Sequence, residues 1–119
     1  MFENNKIIIL GMARSGYEAA KVLIKRNNEV ILNDKNIEQD VNHVNELIEL
    51  GVKVILGSHP KDLIDETVDY IIKNPGIKDS HEMIQRAKEL GIEVINEVEM
   101  AYRLLPKNIT LIGITGSNG

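Results

Sequence analysis

The 119 residues, 43% hydrophobic and 27% charged, have the make-up of one globular domain, or of one domain and a piece of the next. A net charge of −4 gives no global basis for binding nucleic acid or an acidic membrane surface, and the absence of cysteine removes disulfides and thiolate metal sites. No apolar run approaches the roughly 20 residues that span a bilayer, and the start Met1-Phe2-Glu3-Asn4-Asn5 has no basic-then-apolar leader. A cytoplasmic protein without membrane contact is therefore expected; a monomer is taken as the default, since nothing in the sequence fixes the oligomeric state.

Short aliphatic runs alternate with stretches of helical period. Residues 6–10 read as a strand, and 16–25 as a helix with Ala19, Ala20, Leu23 and Ile24 on one face. A second strand is expected at 29–33. The helix at 39–50 carries Val41, Val44, Leu47 and Ile48 as one stripe, with Gly51 as its stop signal. Strands follow at 52–56 and 68–72, with one helical turn at 61–65 between them. A helix at 80–90 turns Met83, Ile84, Ala87 and Leu90 inward. Beyond it come a strand at 92–95, a helix at 98–105, the breaker Pro106-Lys107-Asn108 and a last strand at 109–114. Such alternation predicts an α/β, doubly wound, Rossmann-like parallel sheet of about five strands with helices on both faces.

Three loops carry candidate chemistry. Gly11-Met12-Ala13-Arg14-Ser15-Gly16 stands where a Gly-x-Gly-x-x-Gly fingerprint would sit, with Ala13 in place of the middle glycine. Gly11 suits the tight turn and Gly16 a close helix–sheet approach. The amides of the first helical turn, at Arg14 and Ser15, can hold a phosphate. Ser15 and Glu18 also fit a capping box, so the serine has a structural role to set against ligand contact. A solvated surface arginine is equally the bland reading of Arg14.

Asp34, which ends the second strand, stands where an acid holds a ribose hydroxyl; with Lys35 it could read a polar base edge, and it could also simply cap a turn. Asn74-Pro75-Gly76 is a turn in which glycine would supply a positive φ. Its place at a strand's carboxyl end puts it across the crevice from the first loop. No chemistry is assigned to His59, His43 or His81, and no metal-ligand spacing occurs.

The chain runs from its last expected strand into Thr115-Gly116-Ser117-Asn118-Gly119 and stops where a P-loop would place its lysine. Residues 97–119 are accordingly expected to be the truncated start of a P-loop ATPase domain, and 1–96 a separate Rossmann-like domain.

Gly113-Ile-Thr-Gly-Ser-Asn-Gly119 resembles the ATP loop of the Mur ligases. Gly11-Met-Ala-Arg-Ser-Gly16, Asn33-Asp34, Lys73-Asn-Pro-Gly-Ile77 and Glu97-Val-Glu99 resemble the family's D-glutamate-adding branch in order and spacing. The likeness covers essentially the whole chain. It implies a parent enzyme in peptidoglycan precursor synthesis that uses ATP and Mg2+ to turn the alanyl carboxylate of UDP-N-acetylmuramoyl-L-alanine into an acyl phosphate. The amine of D-glutamate then attacks, and ADP, phosphate and an amide result.

The amino-terminal domain is implied to bind the UDP end. The backbone at Arg14 and Ser15 would hold diphosphate, Asp34 and Lys35 would face uracil, and Asn74 and Gly76 would lie at the uridine. Catalytic residues and magnesium ligands would lie beyond Gly119, leaving this stretch inactive alone and without a bound cofactor. The principal rival is an NAD(P)-binding Rossmann domain of a dehydrogenase or regulator, against which Ala13 and the 113–119 ending both speak. An interaction domain with purely structural glycines ranks last, because four loop features converge on one sheet edge.

Overall fold

The computed structural model describes residues 2–104; the strand expected at 109–114 and the loop at 115–119 lie outside the described residues. The elements are β1 (Lys6–Leu10), α1 (Arg14–Ile24), β2 (Glu29–Asp34), α2 (Val41–Leu50), β3 (Lys53–Leu56), a 3-10 turn (Lys61–Leu63), β4 (Tyr70–Lys73), α3 (Glu82–Glu89), β5 (Glu93–Asn96) and α4 (Glu97–Arg103). All five strands pair in parallel, in the order β3-β2-β1-β4-β5. This is the expected doubly wound α/β architecture.

Alternation along β1 divides the core in two. Ile7 and Ile9 pack with Leu23 of α1, Leu47 of α2 and Met100 of α4. Ile8 and Leu10 point the other way, onto Ile64 and onto Ile84 and Ala87 of α3. Each such fully buried Ile or Leu contributes about 2 kcal/mol of transfer free energy. Both sheet faces are therefore covered, as parallel strands require.

Leu90, expected to turn inward, is 37% exposed because α3 ends at Glu89, just before it, and three further details depart from the expectation. First, α1 begins at Arg14, ahead of Gly16, with Ala13 in the cap position. Second, β4 begins at Tyr70, because Val68 is drawn into a turn in which its N–H donates to the carbonyl of Asp65 at 3.1 Å. Val68 is buried all the same. Third, the α2 stripe is only partly inward: Leu47 is fully buried, while Val41 and Ile48 are 69% and 54% exposed. That helix covers the edge strand β3, which offers too narrow a floor for a four-residue stripe. Asp40 caps it, accepting from the amides of Asn42 at 2.9 Å and His43 at 3.1 Å, and Gly51 closes it as expected.

The last helix leaves β5 with no intervening loop, capped by the Asn96 side chain, which accepts from the Glu99 amide at 2.8 Å. Its first residue, Glu97, is 6% exposed, and among the described residues neither carboxylate oxygen has a hydrogen-bond partner. Burial raises its pKa; Ser15 nearby offsets part of the effect without closing a hydrogen bond. Because the folded state holds this proton more tightly than the unfolded chain, ionisation of Glu97 costs nothing in acid. The cost appears as pH rises from the ordinary carboxyl value of 4.5 through the raised one. Glu97→Gln should match the wild type in stability at acid pH and exceed it by about 1 kcal/mol at neutral pH. Urea denaturation across that range checks this; a difference independent of pH would rule out ionisation as the cause.

Candidate functional site

The strand order reverses at β1. The chain runs outward from β1 to β2 and β3, then crosses to β4 on the other side of β1. Connections on either side of that reversal diverge, and the crevice they leave at the carboxyl ends of the strands is where doubly wound sheets bind ligands. Here it is an open cavity of about 300 Å3. Gly11 and Ala13 enter it from the β1 exit, Asp34 and Lys35 from β2, His59 from β3, and Asn74, Ile77 and His81 from β4.

The first loop is held by close contact. Gly11 has φ +97, and a Cβ there would stand 3.1 Å from that of Asn74; its N–H donates to the Asn33 carbonyl at 2.9 Å. A Cβ on Gly16 would lie 2.2 Å from the Gly11 carbonyl oxygen, so α1 approaches the loop as closely as backbone allows. Both glycines thus have the roles expected of them. Tyr17 is the first amide of α1 to find a backbone acceptor, at Met12 and Ala13. The amides of Arg14, Ser15 and Gly16 are left as the helix's unpaired donors among the described residues, the arrangement that suits a phosphate.

The capping-box reading of Ser15 does not hold. Ala13 occupies the cap position and no side chain caps the helix. Ser15 is the second helical residue, and it lines an apolar groove against α4 with Glu97, Val98, Met100 and Ala101. Its side chain is not brought to the Asp34–Asn74 cavity; only its backbone remains a candidate.

Asp34 joins two loops. Its Oδ2 accepts from the Met12 amide at 2.7 Å and its Oδ1 from the Asn36 amide at 2.8 Å. The first bond ties the β1 exit to the β2 exit, and the second is a local turn of the kind expected of a strand-end aspartate. Lys35 is exposed at the cavity mouth. Across the crevice, the Asn74 amide donates to Leu10 at 3.1 Å and its Oδ1 accepts from the Gly76 amide at 2.9 Å. The Ile77 amide closes the turn on the Asn74 carbonyl at 2.9 Å. Gly76 is not among the positive-φ residues, so the turn is of the common kind that needs no left-handed residue. It is exposed and stands outside the cavity lining.

Two histidines were not expected here. His59 Nδ1 lies 2.6 Å from the Oδ1 of buried Asn33, whose amide nitrogen donates to the carbonyls of Ile55 at 2.9 Å and Ser58 at 2.7 Å. The rings of His59 and His81 meet edge to face, centroids 4.8 Å apart. Burial, and after it the repulsion that a second proton would meet from His81, lowers the His59 pKa, which favours the neutral imidazole. Only position could have flagged His59: it follows β3 at the same sheet edge as the other loops. His43, by contrast, stacks on Tyr17 at 4.0 Å beside a second cleft that also borders Ala13. Among the described residues, no three His, Asp or Glu side chains could hold a metal ion, and no helix is long and apolar enough to cross a membrane.

Comparison with known proteins gives the site its context. The chain is 47% identical over 117 residues to UDP-N-acetylmuramoylalanine--D-glutamate ligase of Enterococcus hirae, covering 98% of this chain and 25% of that one. It is 48% identical over 118 residues to the Streptococcus mutans protein of the same name, covering 99% and 26%. The chain thus spans about a quarter of the length of these curated relatives. Among solved structures, UDP-N-acetylmuramate-alanine ligase of Thermotoga maritima superposes with a TM-score of 0.66 at 22% identity, covering 83% of this chain and 22% of that one. Shikimate dehydrogenase of Aquifex aeolicus superposes at 0.54 with 17% identity, covering 84% and 45%. Both are likenesses of fold. Residues 5–96 match the family described as Mur ligase MurD-like, N-terminal domain, and the chain belongs to that family.

Proposed function

We propose that this chain is the part of a UDP-N-acetylmuramoyl-L-alanine:D-glutamate ligase that binds the UDP end of the substrate. The single observation that carries the reading is the crevice at the strand-order reversal, walled by Asp34 and Asn74 and lined by Gly11 and Ala13 of the loop that leads into α1. In this reading uridine occupies the cavity, with the base at Asp34 and Lys35 and the turn Asn74-Pro75-Gly76 against the nucleoside. The diphosphate lies on the amides of Arg14 and Ser15, where the dipole of α1 adds to their hydrogen bonds. The relatives' name suggests the ligand class, and the open crevice beside the start of α1 supports the reading.

The whole enzyme would couple ATP and Mg2+ to amide formation with D-glutamate, in the cytoplasm and as a monomer, during peptidoglycan precursor synthesis. Residues 1–96 form the binding domain in this division, and 97–119 open the ATPase domain. Ligation by this chain alone is not expected. The dehydrogenase likeness is one of fold, and Ala13 removes the glycine through which a dinucleotide's pyrophosphate touches the backbone.

Isothermal calorimetry tests the proposal. UDP and UDP-N-acetylmuramoyl-L-alanine should each bind at least about tenfold more tightly than NAD, a difference of about 1.4 kcal/mol. Binding of NAD without binding of UDP compounds would overturn it.

A further inference from the structure

The two histidines in the crevice have tautomers that can be derived. The Asn33 side chain donates through Nδ2 to two backbone carbonyls, at 2.9 and 2.7 Å, so its Oδ1 is the acceptor that faces His59. The nitrogen 2.6 Å away, His59 Nδ1, must then carry the proton. A neutral ring has one N–H, which leaves Nε2 of His59 a bare acceptor. His81 is the reverse case. Its Nδ1 accepts from the Met83 amide at 3.1 Å, capping α3, so its proton sits on Nε2 and makes that atom a donor. Among the described residues neither Nε2 has a hydrogen-bond partner, and both rings line the cavity.

We infer that His59 and His81 form an acceptor–donor pair that reads the base, and that the pair selects uracil over cytosine. Uracil presents a donor at N3–H beside an acceptor at O4; cytosine presents an acceptor at N3 beside a donor amino group. The Nε2 of His59 matches N3–H, and the Nε2–H of His81 matches O4. Cytosine would set acceptor against acceptor and donor against donor, leaving polar groups unpaired in a partly buried site. This inference rests on the UDP reading above and deepens it by naming the residues that choose the base. Lowering of the His59 pKa by burial supports it, since protonation would turn the acceptor into a second donor. The other titratable and charged groups acting on that ring are His81, Asp34, Glu82 and Lys35.

Asparagine substitutions separate reading from structure. An asparagine can place its amide where Nδ1 stood and has nothing at Nε2. His59→Asn keeps a donor for Asn33, and His81→Asn keeps an acceptor for the Met83 amide. Calorimetry on the wild-type chain should show UDP favoured over CDP by about tenfold or more, and each variant should bring the two nucleotides within about threefold of each other. Affinity for inorganic diphosphate and the melting midpoint should stay at wild-type values. Long-range proton–nitrogen NMR of the unmodified chain should find His59 protonated at Nδ1 and His81 at Nε2. Opposite tautomers, or variants that keep the wild-type preference for UDP, would overturn the pairing while leaving UDP binding intact. A wild-type chain that binds NAD and not UDP would instead overturn the underlying reading, and this inference with it.

Discussion

Gly16→Ala should cost more than about 3 kcal/mol of stability and lower the melting midpoint by about 10 °C or more. The added Cβ would stand 2.2 Å from the carbonyl oxygen of Gly11, a contact with backbone that no rotamer change can relieve. Either α1 lifts from the sheet or the β1 exit moves. The first option opens the core around Ala20 and Leu23, which are fully buried; the second displaces Gly11 from its bond to Asn33. Both options disturb the amides proposed to hold diphosphate, so affinity for UDP should fall together with stability. Differential scanning calorimetry, with and without UDP, reads both effects. A variant that melts and binds like the wild type would show that the close approach is not used.

Asp34→Ala should lose UDP affinity by about tenfold or more and also destabilise the fold by about 2 kcal/mol. From the sequence alone the residue offers a choice, ligand contact or turn cap. The structure shows the structural role to be larger than a cap, because Oδ2 takes up the amide of Met12, a buried residue. Removing the carboxylate strands that amide, at a cost of about 1–3 kcal/mol, and frees the phosphate loop from β2. Asp34→Asn keeps one acceptor oxygen and should recover most of the stability but only part of the affinity. Stability measured by urea denaturation and affinity measured by calorimetry separate the two effects. Full affinity in Asp34→Ala would remove Asp34 from the site.

The fold was legible because parallel strands buried on both faces read as unbroken aliphatic runs, and the helices between them carry their own period. Ile7 to Leu10 and Tyr70 to Ile72 show this: both faces of these strands meet core, so no polar alternation dilutes the signal. The α2 stripe misled for a related reason. Periodicity shows which residues share a face but not how wide a floor that face will meet, and the edge strand β3 leaves Val41 and Ile48 in solvent.

In the site, what was readable from residue type and place was local: the close approaches of Gly11 and Gly16 and the turns at Asp34 and Asn74. Side-chain partnerships across long sequence gaps were not. Nothing local ties Met12 to Asp34, Asn33 to His59, or His59 to His81; those pairs exist only because four strand exits meet at one sheet edge. Ser15 failed as a cap because α1 starts one residue ahead of it, at Arg14, with Ala13 in the cap position.

The central claim is that the crevice at the strand-order reversal holds the UDP end of the substrate. Amide-resolved NMR during titration with UDP tests it most directly. The account predicts the largest shifts at residues 11–16, at Asp34 and Lys35, at His59 and His81, and at residues 74–77, with the opposite sheet edge around Asn5, Asn27 and Thr67 unmoved. Shifts confined to that opposite edge, or shifts in the crevice from NAD and none from UDP, would contradict it.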